Sequence, residues 1–197
     1  MRLAHRMVAD CARIEDPLFF HNVEMPNKNL IRARDLQFSP CSKHHAVILV
    51  RAWHSRLPNT QNGPWMLAFA AKISDVTYAV ALWNNPSARM LPNDWLELRR
   101  MASAPDAPFN TASRFLGYMA RWIRANRPAV KKLISYQDAE VHNGTIYKAA
   151  NWSVGHIAKP RSRDRTLERI GTKRKYRQSI NGAAADGSQK IRWELDI

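Results

Sequence analysis

Residues 133–155 read LISYQDAEVHNGTIYKAANWSVG and concentrate side chains that can do chemistry. An apolar run ends at Asp138, which sets a carboxylate at a strand terminus facing a cleft or a loop. There it could orient a base or contact an amine; the alternative is a turn or helix cap. His142, Asn143 and Gly144 form a loop, and Tyr147 and Asn151, four apart, are expected on one helical face. Tyr147 is either catalytic or packed with its hydroxyl satisfied. Far upstream, Val47, Val50 and His54 fall at 0, +3 and +7. That spacing puts His54 at a helix C-terminus, near the buried side. An imidazole with an ordinary pKa near 6.5 is the natural general base, and a hydrogen-bonded core histidine is the other reading.

These groups need elements to hold them. Residues 29–38 alternate in part and suggest a first strand. Ser39-Pro40 reads as an N-cap and first helical residue, opening a helix that runs to about Trp53. Residues 65–73 and 76–83 look like strands joined by a tight turn at Ser74-Asp75, and residues 95–103 like a further strand. A helix over 111–126 carries Phe115, Leu116, Met119, Trp122 and Ile123 on one stripe, with Arg114, Arg121 and Arg124 roughly opposite. The arginine stripe is a solvated face or a DNA contact. Strand 131–136, a short helix within 143–152 and strand 189–197 complete the order. Strands interleaved with helices predict an α/β (α+β) fold, a mixed sheet with helices on both faces. Residues 1–28 are expected as an N-terminal extension of unclear role, and residues 29–197 as one domain.

Charge narrows the partners. There are 31 Lys and Arg against 16 Asp and Glu, a net of +15, and the pI is about 10.5. Such a surplus attracts a polyanion, most simply nucleic acid. It is densest in a basic arm at residues 159–177, with Arg161, Arg163, Arg165, Lys173, Arg174, Lys175 and Arg177. Neutralising phosphates there makes binding fall steeply with salt. No apolar run approaches the ~20 residues of a membrane span, and the N-terminus lacks the apolar region of a secretory signal. The expectation is a cytoplasmic protein with no membrane partner. Cys11 and Cys41 lack metal-site spacing and are expected as thiols in a reducing compartment.

The blocks ELRRM (97–101), DAPFNTASRFLG (106–117), ISYQD (134–138) and GTIYKAANW (144–152), preceded by RAWHSRLP (51–58), resemble the Mom family of phage DNA-modification proteins. The resemblance covers about half of the chain, residues 47–155. It implies a fold like that of the GCN5-related N-acetyltransferases, with a mostly antiparallel sheet. It also implies addition of a carbamoylmethyl (glycinamide-like) group to adenine N6 in double-stranded DNA, protecting phage DNA from restriction in the host cytoplasm. Acetyl-CoA or a related donor, and iron, are the implied cofactors. Carried onto this sequence, the family's motifs mark His54, Asp138 and Tyr147 as catalytic and Arg100 and Ser113 as cofactor-binding. One imidazole, one carboxylate and one phenolate (His54, Asp138, Tyr147) would also make a partial ligand set for non-haem iron.

Two positions depart from the pattern. Ser55 stands where family members often carry tyrosine. The connection SAPDAPFNTAS has two prolines and no glycine, where acetyltransferases of this fold use a glycine-rich loop for the pyrophosphate of CoA. Reaction at a duplex adenine requires the base to leave the stack, and Trp53, Trp65, Tyr136 and Trp152 are candidate platforms for it. Competing readings are an acyl-CoA-dependent N-acyltransferase acting on a protein or small amine, and a DNA-binding protein of the same fold without catalysis. The oligomeric state stays open between monomer and homodimer.

Overall fold

In the computed structural model of the chain, residues 31–54, 60, 63–139, 141–158 and 189–197 are described. The extension at 1–28 and the basic arm at 159–177, with Arg161, Arg163, Arg165, Lys173, Arg174, Lys175 and Arg177, lie outside them. A 3-10 turn, Ala33–Asp35, leads into β1 (Gln37–Pro40) and α1 (Lys43–Trp53). Then follow β2 (Leu67–Ile73), β3 (Val76–Asn84), β4 (Trp95–Ser103), α2 (Thr111–Asn126) and β5 (Lys132–Asp138). The chain closes with α3 (Thr145–Ala149), β6 (Ser153–Ala158) and β7 (Lys190–Asp196). The strands form one sheet in the order β1-β2-β3-β4-β5-β7-β6. The β4–β5 pair is parallel and the other pairs are antiparallel.

Helices cover both faces because each carries one apolar stripe. On one side Ala46, Val47, Leu49 and Val50 of α1 meet Ala68, Ala70, Val80, Leu82 and Ala102. On the other, Phe115, Leu116, Met119 and Ile123 of α2 meet Phe69, Ala71, Ala81, Trp83, Leu96, Leu98 and Leu133. Each such large side chain taken out of water contributes about 1.5–3 kcal/mol.

Two local departures from regularity shape the site. The β4–β5 ladder ends at the Leu98–Ser135 pair. Beyond it β4 stays with β3 as far as Ser103 and β5 stays with β7 as far as Asp138, so the two parallel strands part as a fork. Within β4, Leu98 pairs with Trp83 and Arg100 with Leu82, so Arg99 is an extra, bulged residue. A bulge resets the side-chain alternation. Leu98 lies in the α2-side core, whereas Arg100 stands opposite Leu82, on the face that α1 covers. The Arg100 guanidinium donates back to the Arg99 carbonyl at 2.6 Å, satisfying a main-chain acceptor that the bulge strands.

Several boundaries move relative to the sequence reading. Pro40 ends β1 rather than opening a helix; Ser42 is the N-cap of α1, accepting from His45 N at 3.1 Å. Trp53 ends α1 as expected. The Ser74-Asp75 turn joins β2 and β3, with Ser74 at φ 50°. Strand β6 is an addition: Ser153 through Ile157 are exposed, so the segment has no apolar alternation to reveal it. Tyr147 and Asn151 do not share a helical face, because α3 stops at Ala149 and Asn151 is left-handed at φ 62°.

Candidate active site at the strand fork

His54 is the C-cap of α1, and its N–H donates to Val50 O at 2.9 Å. The helix thus delivers the imidazole to its own end, over the sheet face that carries Arg100. Burial first, and the neighbouring charges of Arg100 and His142 after it, together lower the His54 pKa to about 4. At neutral pH the imidazole is therefore uncharged, with a lone pair to accept a proton.

Tyr147 reaches the fork from the opposite face. It is 8% exposed, stacks on Trp193 at a centroid distance of 5.2 Å and meets Trp152 edge-on at 5.8 Å. Its hydroxyl bonds the Ser135 hydroxyl at 2.9 Å, and Ser135 in turn donates to Leu98 O at 3.3 Å. Since Leu98 and Ser135 are the last pair of the β4–β5 ladder, the phenol stands at the vertex of the fork. Burial pushes its pKa up, against the lowering effect of the hydrogen bond with Ser135, so it is a protonated phenol at neutral pH.

Asp138 ends β5. Strand alternation puts it on the face opposite Ser135 and Gln137, the side shared by Arg100 and His54. Its carboxylate pairs with Lys190 of β7, so it enters the site already neutralised. The main-chain N–H of His142 donates to Asp138 O at 3.1 Å. The triad expected from sequence is thereby divided. His54 and Asp138 belong to one side of the sheet, and Tyr147 is embedded in the core on the other. A ligand set of His54, Asp138 and Tyr147 does not fit iron: the phenol is buried, protonated and engaged by Ser135, and Asp138 holds Lys190. Among the described residues no three His, Cys, Asp or Glu side chains form a metal-binding group.

Three positioning residues were not singled out from sequence. Gln137 accepts from Trp193 Nε1 at 2.6 Å and donates to the His142 carbonyl. It ties the ring that stacks on Tyr147 to the loop that carries His142. Ser135 and Gln137 alternate with Asp138 along β5, and two polar residues on the buried face of a strand were the available signal. Gly144, at φ 76°, lies so close to Trp193 and Gln137 that a Cβ would overlap both. Trp152 is a core residue rather than a stacking platform, 4% exposed and packed between Trp83 and Tyr147. Trp53 and Trp65 pack partly against the α1-side core, and Tyr136 is half-buried. Cys41 has a free thiol whose pKa burial raises to about 11, which leaves it unreactive at neutral pH; Cys11 lies outside the described residues.

The cofactor residues carried over by resemblance are also separated. Arg100 is at the fork. Ser113 sits in the first turn of α2 and donates to Asn110 O at 3.2 Å. It lines a groove of about 300 Å³ between α2 and the end of α3. The connection before α2 lacks the glycines of a pyrophosphate-binding loop. The N–H groups of Ala107, Thr111 and Arg114 are already bonded to Ala104 O, Pro108 O and Asn110 O. Pro105 and Pro108 have none to offer.

The fold is shared with solved acetyltransferases. The ribosomal-protein-alanine N-acetyltransferase of Brucella melitensis superposes with a TM-score of 0.56 at 11% identity, over 82% of this chain and 100% of that one. The Bacillus subtilis acetyltransferase solved in complex with CoA gives 0.53 at 10% identity, over 82% and 99%. The IAA acetyltransferase of Bacillus cereus also gives 0.53, at 12% identity over 82% and 99%. These likenesses establish a fold of the GCN5-related N-acetyltransferase type. No curated protein sequence matches the chain. The sequence profile of the Mom protein family, in contrast, matches residues 35–195, which takes in β1 to β6 and nearly all of β7. The chain belongs to the Mom protein family.

Proposed function

We propose that the protein is a transferase that adds a carbamoylmethyl group to the N6 amine of adenine in DNA. The observation that carries the reading is membership of the Mom family along residues 35–195. The net charge of +15 supports a polyanionic substrate.

The N6 lone pair is delocalised into the purine ring, so attack needs help at both ends. As N6 forms its bond to the donor carbon, a proton must leave the nitrogen; neutral His54 accepts it. The bond from that carbon to the leaving group breaks with its electron pair going to the leaving group. The Tyr147 phenol, protonated at the fork vertex, turns its O–H from Ser135 to the leaving group and donates a hydrogen bond or its proton there. Arg100 supplies fixed positive charge between the two. The opposed placement of base and acid across one fork suits such a transfer, because substrate and donor then approach from different faces. Asp138 and Lys190 act as one neutral unit that fixes the floor.

The test is chemical. DNA from cells expressing the protein is digested to nucleosides and analysed by mass spectrometry. A deoxyadenosine heavier by the carbamoylmethyl increment, absent with His54→Ala, is the expected result. Unmodified nucleosides from a well-expressed, folded protein would overturn the reading. CoA-dependent labelling of a protein or amine would then favour an N-acyltransferase.

A further inference from the structure

The core under α1 ends before the sheet does. Its buried cluster draws on β2, β3 and β4, and no described residue of β5, β6 or β7 joins it. The same face of β5, β7 and β6 divides into two parts. Toward the start of β5 it is closed by paired charge. Ile134, fully buried, pairs with Glu97 on one side and Glu194 on the other. Glu194 holds Lys132 at 2.8 Å and Arg192 at 2.7 Å. Both cations also lie over the Trp95 ring, at 4.8 and 5.5 Å from its centroid. Two residues further along β5 stands Tyr136, half-buried and on the same face by strand alternation. It belongs to neither apolar core cluster, whereas Tyr118 and Tyr147 each pack against other rings. Its cross-strand partner is Arg192, and that guanidinium is drawn away toward Trp95 and Glu194. The network therefore stops one pleat short of Tyr136 and leaves part of its flat apolar face accessible. Exposed His156 of β6 ends the row beyond Arg192. Asp138 follows Tyr136 on the same face, about 7 Å along the strand, and carries the ion pair with Lys190.

We propose that Tyr136 is the platform on which the extruded adenine stacks, beside the Asp138 end of the site. A base that leaves the duplex loses the stacking of both neighbours, and an aromatic side chain replaces one of them. Such a stack is worth roughly fivefold or more in affinity and tolerates any base, so the ring holds while polar groups select. The sheet face decides which ring can serve. N6 must reach His54, and Tyr136 lies on the His54 side of β5. Tyr147, Trp152 and Trp193 are enclosed in the core on the other side. The basic arm departs one rung further along, at Ala158 and Lys190, so phosphates gripped by it would border the same ring. The proposal rests on the DNA-modifying reading and names the residue that holds its substrate base.

Fluorescence anisotropy on the full chain tests it at fixed salt, with two short DNA duplexes as probes. In one, a central adenine faces an abasic position, so that extrusion costs little. In the other, that adenine is itself replaced by an abasic nucleotide. The unaltered protein is expected to prefer the first duplex by roughly fivefold or more. Tyr136→Phe keeps the ring and should keep the preference. Tyr136→Ala should erase most of it while leaving affinity for the abasic duplex within about twofold, which also shows that the variant is folded. Phe109→Ala removes a ring that is 89% exposed elsewhere on the surface and should leave the preference unchanged. No preference in the unaltered protein, or an equal preference in Tyr136→Ala, would overturn the proposal. Equal losses in Tyr136→Ala and Phe109→Ala would refute a specific platform. Loss of the preference in Tyr136→Phe would show that the hydroxyl, not the stack, holds the base. Modified deoxyadenosine in cells with an unchanged preference in Tyr136→Ala would sink this inference and leave the functional reading standing. A preference that depends on Tyr136 without any modified nucleoside would do the reverse.

Discussion

The proposed function puts much of the chemistry on a single imidazole, whose environment makes measurable claims. With its pKa lowered to about 4 by burial and by Arg100 and His142, His54 should stay neutral through the whole physiological range. Arg100→Gln removes one of those charges, so an NMR titration of His54 should move its midpoint upward toward 6.5; no movement would separate the two side chains. The same shift has a stability sign. The unfolded chain binds this proton near pH 6.5 and the folded chain only near 4. Stability should therefore be intact above pH 6.5 and fall by up to roughly 3 kcal/mol as pH drops to 4. His54→Gln should flatten that decline in a denaturant series. Tyr147 allows a cleaner separation of roles. Tyr147→Phe keeps the stacked ring and should cost about 1 kcal/mol for the buried hydrogen bond. If the phenol supplies the proton, modified nucleoside should fall by roughly 10²-fold or more. Ser135→Ala should lose comparable stability and retain most of the activity. Equal activities for the two variants would make the phenol structural.

At the level of elements, the fork and the turn before α3 do the positioning. Gly144 is the N-cap of α3 at φ 76°, with its missing side chain facing the Trp193 ring. Gly144→Ala should therefore destabilise by about 2 kcal/mol or more, combining left-handed strain with overpacking. A smaller loss in thermal melting would mean that Trp193 can move. Much of this scaffold was legible beforehand. Trp95–Ser103 and Thr111–Asn126 were readable to the residue, because a bulky alternating run and a five-residue apolar stripe each present one period. Strand β6 was not, since Val154 and Ile157 are exposed and an edge strand with two open faces has no period to show. The face of Arg100 was hidden for a different reason. Arg99 belongs to an unbroken run of strand residues, and its bulge shows only in the pairing with β3. The division between His54 and Tyr147 followed the same logic: sequence spacing told which elements held them but not which side of the sheet each element covered.

For the whole molecule the governing quantity is charge. Neutralising Lys173, Arg174 and Lys175 together should lower DNA affinity across all sequences and flatten the slope of log K against log salt by about two to three units. An unchanged slope would move the polyanion contact elsewhere. The sheet also fixes where that segment attaches. Ala158 of β6 and Lys190 of β7 are direct pairing partners, so residues 159–188 leave and rejoin the sheet at one rung. Replacing them with a two-residue turn should preserve the melting temperature within a few degrees while abolishing most DNA affinity. A collapsed melt would show the segment to be part of the core. Lys190 has a second attachment, the ion pair with Asp138. If the proposed DNA contact is made by residues 159–188, any pull on that segment reaches, within one rung, the lysine that balances the carboxylate at the tip of β5. On the proposed function, Lys190 would join substrate capture to the Asp138 end of the site.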